Sequence, residues 1–201
     1  MTSIALSTVD RLLLAARSLF LERNYADVTM DQICAAAEAT KGGLYHHFSS
    51  KEELYLAMLI ADLQEKKELF QRSVHSDGNC RERLRKLTSD YLRLPREKRE
   101  LITLVRRDIN VFPLSIRADL VRAYQEALPE QVQSILQDGI RNGELADADA
   151  RLRSWEFVAL VEVLLSPYAE QAFPTVDAKL DHVLNLYFGG ATSSPTPPQA
   201  S

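Results

Sequence analysis

Residues 29–51 read TMDQICAAAEATKGGLYHHFSSK, and this stretch decides the fold. Thr29 carries the short hydroxyl side chain of a helix N-cap. Gln32 stands three residues later, where its amide can reach back to complete a capping box. Val28 before the cap and Ile33 after it can close a hydrophobic staple. Met30, Ile33, Cys34 and Ala37 then recur at helical spacing. Thr40 caps a second short helix, Lys41-Gly42-Gly43-Leu44-Tyr45-His46-His47, and only Glu38 and Ala39 separate the two. Helices joined by three or four residues cross steeply, which is helix-turn-helix geometry.

The second helix has an unusual composition for a structural element. Gly42 and Gly43 each cost a helix about 1 kcal/mol relative to alanine. At a DNA surface their missing side chains let the backbone approach bases or phosphates closely. Thr40 and Lys41 lie at the N-terminal end, where a recognition helix meets base edges. Tyr45 and His47 can donate to phosphate, with His46 beside them, and Lys51 adds charge at the start of the next helix. Thr29, at the start of the first helix, completes the DNA-binding set. The alternative reading makes Tyr45 a core aromatic and the histidines merely exposed; Leu44 and Phe48 are expected in the core. His46 and His47 make no metal site, because adjacent helical residues point about 100° apart and no third ligand is nearby.

KGGLYHHFSSKEEL, preceded by Thr29, Ile33 and Ala37 at these spacings, resembles the DNA-binding signature of the TetR family of bacterial transcriptional regulators. The resemblance runs from about Leu12 to Leu59. It implies a three-helix DNA-binding unit followed by a helical ligand-binding and dimerisation region. This chain has Glu38 where the family's turn usually carries glycine, and Ala39 where it carries valine. An L-residue in the left-handed conformation costs about 1–2 kcal/mol, so a strained turn is expected.

Charge alone leans the other way. The net charge is −4. Residues 1–51 balance Arg11, Arg17, Arg23, Lys41 and Lys51 against Asp10, Glu22, Asp27, Asp31 and Glu38. Affinity must then come from a few placed contacts, helix N-termini and neutral donors. Hydrophobic content of 46% and charged content of 26% are ordinary for a globular protein. Two cysteines, Cys34 and Cys80, make no disulfide or metal framework. No apolar run is long enough to span a bilayer and no signal peptide opens the chain, so a cytoplasmic protein with no membrane partner is expected.

Elsewhere apolar residues recur every three or four positions, so the fold class is all-α. Ser7 or Thr8 caps a first helix with Val9, Leu12, Leu13, Ala16 and Phe20 on its apolar face. Ser50 caps a helix of roughly 24 residues, about 36 Å, with Glu53 completing its box. Leu54, Ala57, Met58, Ala61 and Leu69 form its buried stripe, and the Ser76–Asn79 cluster ends it. Next come helices at about 81–94 and 97–109, the latter with Leu101, Leu104, Val105, Asp108, Ile109 and Phe112 along one stripe. A long helix from about Ser115 to Asn142 is expected to kink or break at Pro129, with Gly143 as its C-cap. The next spans from Asp147 or Asp149 to about Ala172, and the last runs from Val176 to Phe188. Residues 189–201 are rich in Gly, Ser, Pro and Thr and read as a disordered tail. The division expected is 1–50 for DNA binding, 51–75 as linking helix, 76–189 for effector binding and dimerisation, and 190–201 as tail.

The segment from Leu152 to Leu165 is apolar on nearly every side and must be buried by more than one neighbour. By the resemblance, it and the final helix form an intermolecular four-helix bundle, giving a homodimer through the last two helices. Polar residues amid apolar ones mark a candidate effector pocket: Tyr91, Asp108, Asn110, Tyr124, Trp155 and Glu162. Ion pairs to Arg106, Arg107 or Arg117, or contacts across the dimer, account for the carboxylates at least as well. There is no G-x-S-x-G, G-x-x-x-x-G-K, H-E-x-x-H or C-x-x-C, so neither an enzyme nor a cofactor is expected.

The combined reading is a ligand-responsive DNA-binding regulator; that it is a repressor, released from double-stranded operator DNA by a largely apolar small-molecule effector, is what the resemblance implies. The alternative is a helical adaptor or ligand-sequestering protein that uses its helix-turn-helix for protein contacts.

Overall fold

The computed structural model describes residues 6–189 apart from 109 and 111, with the backbone only of 101–103, 105, 106 and 115. The expected tail at 190–201, the first five residues, Ile109, and the packing of Leu101, Val105 and Arg106 lie outside the described residues. Among the latter, regular structure is all helix, with no strand. In order these are α1 (Thr8–Glu22), a 3₁₀ turn (Tyr25–Asp27), α2 (Met30–Ala36), α3 (Lys41–His47), α4 (Lys51–Val74) and α5 (Cys80–Leu92). They continue as α6 (Arg96–Asp108), α7 (Leu114–Ala127), α8 (Pro129–Arg141), α9 (Ala150–Val163), α10 (Pro167–Ala172) and α11 (Val176–Gly189).

The chain divides into two compact units, one of Met1–Gln71 with Leu94–Leu128, the other of Arg72–Arg93 with Pro129–Ser201. Packing therefore interleaves segments that the sequence reading takes consecutively. In the first unit α1 packs on α2, α3 and α6. Leu12, Ala16 and Phe20 of α1 meet Ile33, Cys34, Leu44 and Phe48 in one core that also takes in Leu54, Tyr55, Met58, Leu104, Phe112 and Leu120. In the second unit α8 lies along α9, and α5 packs on α8 and α11. Leu84, Leu87, Tyr91, Ile135, Leu136, Phe157, Val158, Leu180 and Leu184 are buried there.

Local chemistry sets the boundaries. Ser7 caps α1, and Asp10 closes that box. The α4 box differs from expectation: the Glu53 amide donates to Ser50 Oγ at 3.1 Å, but the Glu53 carboxylate accepts from the Ser49 amide and hydroxyl, one residue further back. Pro129 starts α8, and Leu128 at φ −131°, ψ −64° is the break between α7 and α8. Gly143 follows α8 at φ +75°, the left-handed conformation that closes helices cheaply when no Cβ is present. The helix expected from Asp149 to Ala172 is two helices. Leu164–Ser166 end the first turn-by-turn ladder; Ser166 caps α10 with Pro167 at its first position, because proline cannot continue a helix but suits its start.

Candidate nucleic-acid interface

The geometry begins at Thr29, whose hydroxyl accepts from the Gln32 amide at 3.2 Å while the Gln32 side chain accepts from the Thr29 amide at 2.9 Å. α2 then buries Ile33 and Cys34 against the core. The turn is made by Glu38 at φ +50°, the one non-glycine residue with positive φ among the described residues. The Cys34 thiol donates to the Ala39 carbonyl at 2.8 Å, and Arg11 Nη1 donates to the Glu38 carbonyl at 3.5 Å. A strained turn is thus held from both sides, with no glycine to relax it.

Thr40 caps α3 by accepting from the Gly43 amide at 3.1 Å. Leu44 and Phe48 are buried, as expected of core residues. Around them Thr40, Lys41, Gly42, Tyr45, His46 and His47 all face solvent, with Tyr45 51% exposed. The two imidazoles meet edge to face, ring centroids 5.1 Å apart. Lys41 Nζ lies 2.7 Å from Asp31 Oδ2, and that hydrogen bond holds the ammonium above its ordinary pKa.

The two glycines separate under a simple test. A Cβ on Gly43 would press on Thr40 Oγ1 at 3.1 Å, so the cap itself asks for a small residue there. A Cβ on Gly42 would meet nothing within 4 Å. Among the described residues no contact accounts for Gly42, although it weakens a helix of seven residues.

Lys51 is half-buried. Its ammonium donates to the carbonyls of Tyr25 and Val28 at 2.7 and 2.8 Å and lies 4.4 Å from the centre of the Tyr25 ring. It pins the 3₁₀ turn to the start of α4, with one N–H to spare. Sequence reasoning missed this structural task because the partner atoms are backbone carbonyls, which no residue letter advertises.

The six pocket candidates divide between the units. Asp108, Asn110 and Tyr124 belong to the first, Tyr91, Trp155 and Glu162 to the second. Asp108 is buried and satisfied: Tyr55 Oη donates to it at 2.6 Å and Arg107 forks onto both oxygens at 2.8 Å. That is the ion-pair reading, with Arg107 as partner. Tyr91 is buried, Tyr124 packs against the first core, and Asn110 is exposed, its carbonyl accepting from Arg117. Among the described residues no group of three His, Cys, Asp or Glu could hold a metal ion.

In the second unit, α9 does not bury all of its apolar side chains. Leu152 is 59% and Val163 64% exposed. Between α9 and α11 lies a groove of about 870 Å³ bordered by Ala159, Leu160, Val163, Leu186, Tyr187 and Phe188.

A helix-turn-helix backed by a third helix, with an exposed polar and glycine-bearing face, defines the class: a helix-turn-helix DNA-binding protein. Comparison with known proteins takes this further. Residues 12–58 match the family of bacterial regulatory proteins described as tetR, and residues 77–166 match a tetracyclin repressor-like C-terminal domain. The chain is 21% identical to the HTH-type transcriptional regulator YhgD of Bacillus subtilis, over 90% of this chain and 95% of that one. In fold it is similar to the TetR-family regulator PfmR of Thermus thermophilus (TM-score 0.74, 20% identity, 92% of this chain and 100% of that one). It is similar also to the regulator FadR of Bacillus subtilis in complex with stearoyl-CoA (TM-score 0.76, 18% identity, 90% and 98%). The chain belongs to the TetR family and is a DNA-binding transcriptional regulator.

Proposed function

We propose that this regulator is a homodimeric, cytoplasmic repressor that acts by binding alone, holding operator DNA with two copies of α3 and releasing it when a small, largely apolar effector binds. The observation that carries the DNA contact is the α3 face around Gly42. Thr40, Lys41, Tyr45, His46 and His47 surround a backbone left bare for no internal reason. Thr40 and Lys41 lie at the helix N-terminus, where base edges are met, while Tyr45 and the histidines supply phosphate donors. Thr29 presents the N-terminus of α2, and Lys51 keeps a charge and a spare N–H beside them.

Dimerisation is supported by the apolar side chains that α9 leaves exposed and by the groove it forms with α11. A twofold pair presents two recognition helices to half-sites one turn, about 34–36 Å, apart, and their joint attachment multiplies a weak single contact. The effector must favour one conformation over another to act. That the FadR structure holds stearoyl-CoA supports a ligand with an extended apolar part. Tyr91, Trp155 and Glu162, all of the second unit, are the side chains offered to it.

The test is selection of duplex fragments by the purified protein, followed by salt titration on the fragment retained. Affinity should fall steeply with salt. Lys41→Ala should change base preference and Tyr45→Phe should weaken all sequences alike. No duplex bound at low salt, or equal effects of the two substitutions, contradicts the reading.

A further inference from the structure

In the first unit, a groove of about 570 Å³ runs between α1 and the start of α6, and its lining includes none of the DNA-face residues or pocket candidates. Leu14, Ser18 and Leu21 form one wall, and Pro95 with Arg96, Glu97, Lys98 and Glu100 the other; Arg17 and Glu22 complete it. Leu14 is 45% exposed here, a large apolar side chain with open space over it.

Arg17 makes the groove unusual. Its side chain is 11% exposed and its guanidinium stands 3.6 Å from Asp62, too far for a hydrogen bond. Arg17 Nε and Asp62 Oδ1 are both buried without a hydrogen-bond partner. Asp62 is already engaged by Lys66, one turn on, and both side chains are almost wholly buried. Burial pushes the Asp62 carboxyl up and the Lys66 ammonium down, each against the pull of the other. Whichever of those two holds the proton, the three groups together carry one net positive charge. A buried charge lacking full compensation is costly, and an anion delivered to it is favoured.

The walls constrain that anion further. Arg96 is paired with Glu100 and Lys98 with Glu65, so the rim cations are neutralised. Glu22 and Glu97 are exposed at the edge and disfavour any further negative charge on the ligand. Leu14, Leu21 and Pro95 offer apolar surface to the remainder.

We propose that this groove is a small-molecule site for a monoanionic amphiphile, its single negative group meeting Arg17 and its apolar part lying on Leu14, Leu21 and Pro95. The site stands independently of the DNA-binding reading, and binding is measured without DNA.

Titration calorimetry of the full chain with octanoate, octanol and suberate separates the contributions of charge, tail and second charge. Octanoate should bind about tenfold or more tightly than octanol, as a charge-assisted contact requires, and suberate should bind more weakly than octanoate. Arg17→Gln should remove the preference for octanoate over octanol. If Arg17→Gln does not fold, Ser18→Trp fills the groove while leaving Arg17, Asp62 and Lys66 untouched, and should abolish octanoate binding. In amide-proton spectra, octanoate should shift Leu14, Ser18 and Lys98. Octanol binding as tightly as octanoate, octanoate binding unchanged in Ser18→Trp, or no heat with octanoate at millimolar concentration overturns the proposal.

Discussion

Tyr55 donates its hydroxyl to Asp108 Oδ2 at 2.6 Å, joining the first turns of α4 to the last residue of α6 inside the core of one unit. Arg107 completes the link: it forks onto Asp108 and reaches the carbonyls of Phe20 and Arg23 at the end of α1 at 3.1 and 3.3 Å. The Tyr55 ring packs on Phe20, Tyr25 and Phe112. The ends of α1 and α6 and the start of α4 are thus tied at one carboxylate.

That carboxylate makes stability depend on acid. Burial raises the pKa of Asp108, but hydrogen bonds from Arg107 and Tyr55 and the Arg107 charge outweigh it and hold the group below its ordinary value. A depressed carboxyl stabilises fully above the unfolded-state pKa, about 3.9, and that contribution disappears as pH falls through the folded-state value. Asp108→Asn should therefore flatten the loss of stability below about pH 4. Tyr55→Phe, which leaves Asp108 short of a donor, should cost about 1–3 kcal/mol in denaturant melts at neutral pH. An acid limb unchanged in Asp108→Asn contradicts the assignment.

Glu38 sits at φ +50°. Glu38→Gly should relieve about 1 kcal/mol of strain and raise the melting temperature by about 2–4 °C. Its backbone contacts with Arg11 survive the change, since the carbonyl is what Arg11 uses. A lowered melting temperature would show the turn to be held by the Glu38 side chain instead.

Lys51 has two tasks and so two readouts. Lys51→Ala should cost about 1–3 kcal/mol of stability, as the carbonyls of Tyr25 and Val28 lose a charged donor. It should also lower the salt slope of DNA binding by about one, the mark of a lost phosphate contact. Loss of stability with an unchanged slope assigns Lys51 to the fold alone.

Val163 stands 64% exposed beside the α9–α11 groove. Val163→Asp should leave the helix content intact and shift sedimentation from dimer to monomer, with affinity for a two-half-site duplex falling further than for a single half-site. A dimer that persists places the contact elsewhere.

The sequence carried the helix-turn-helix because its signals are local. A cap at Thr29, a second at Thr40 and the apolar spacing between them act within one or two turns. The break at Pro129 was equally legible, and the separation of α10 from α9 was written in Ser166-Pro167 but obscured by the apolar run before it. What could not be read was long-range. Asp62 and Lys66 stand one turn apart on α4, and their burial beside Arg17 depends on the packing of α1, which no local pattern carries. Asp108 was legible as a polar residue on an apolar stripe, but its engagement by Tyr55, more than fifty positions away, was not. The six pocket candidates share a chemical character, but three fall in each compact unit, a division that composition does not carry.

The central claim is that α3 keeps Gly42 bare so that its backbone can lie against a double helix. Gly42→Ala tests it most directly, because the added methyl meets nothing within 4 Å among the described residues. Thermal melting and duplex affinity should be measured on the same preparation. The account predicts a helix more stable by up to about 1 kcal/mol together with DNA affinity reduced about tenfold or more. Greater stability with undiminished DNA affinity would contradict it.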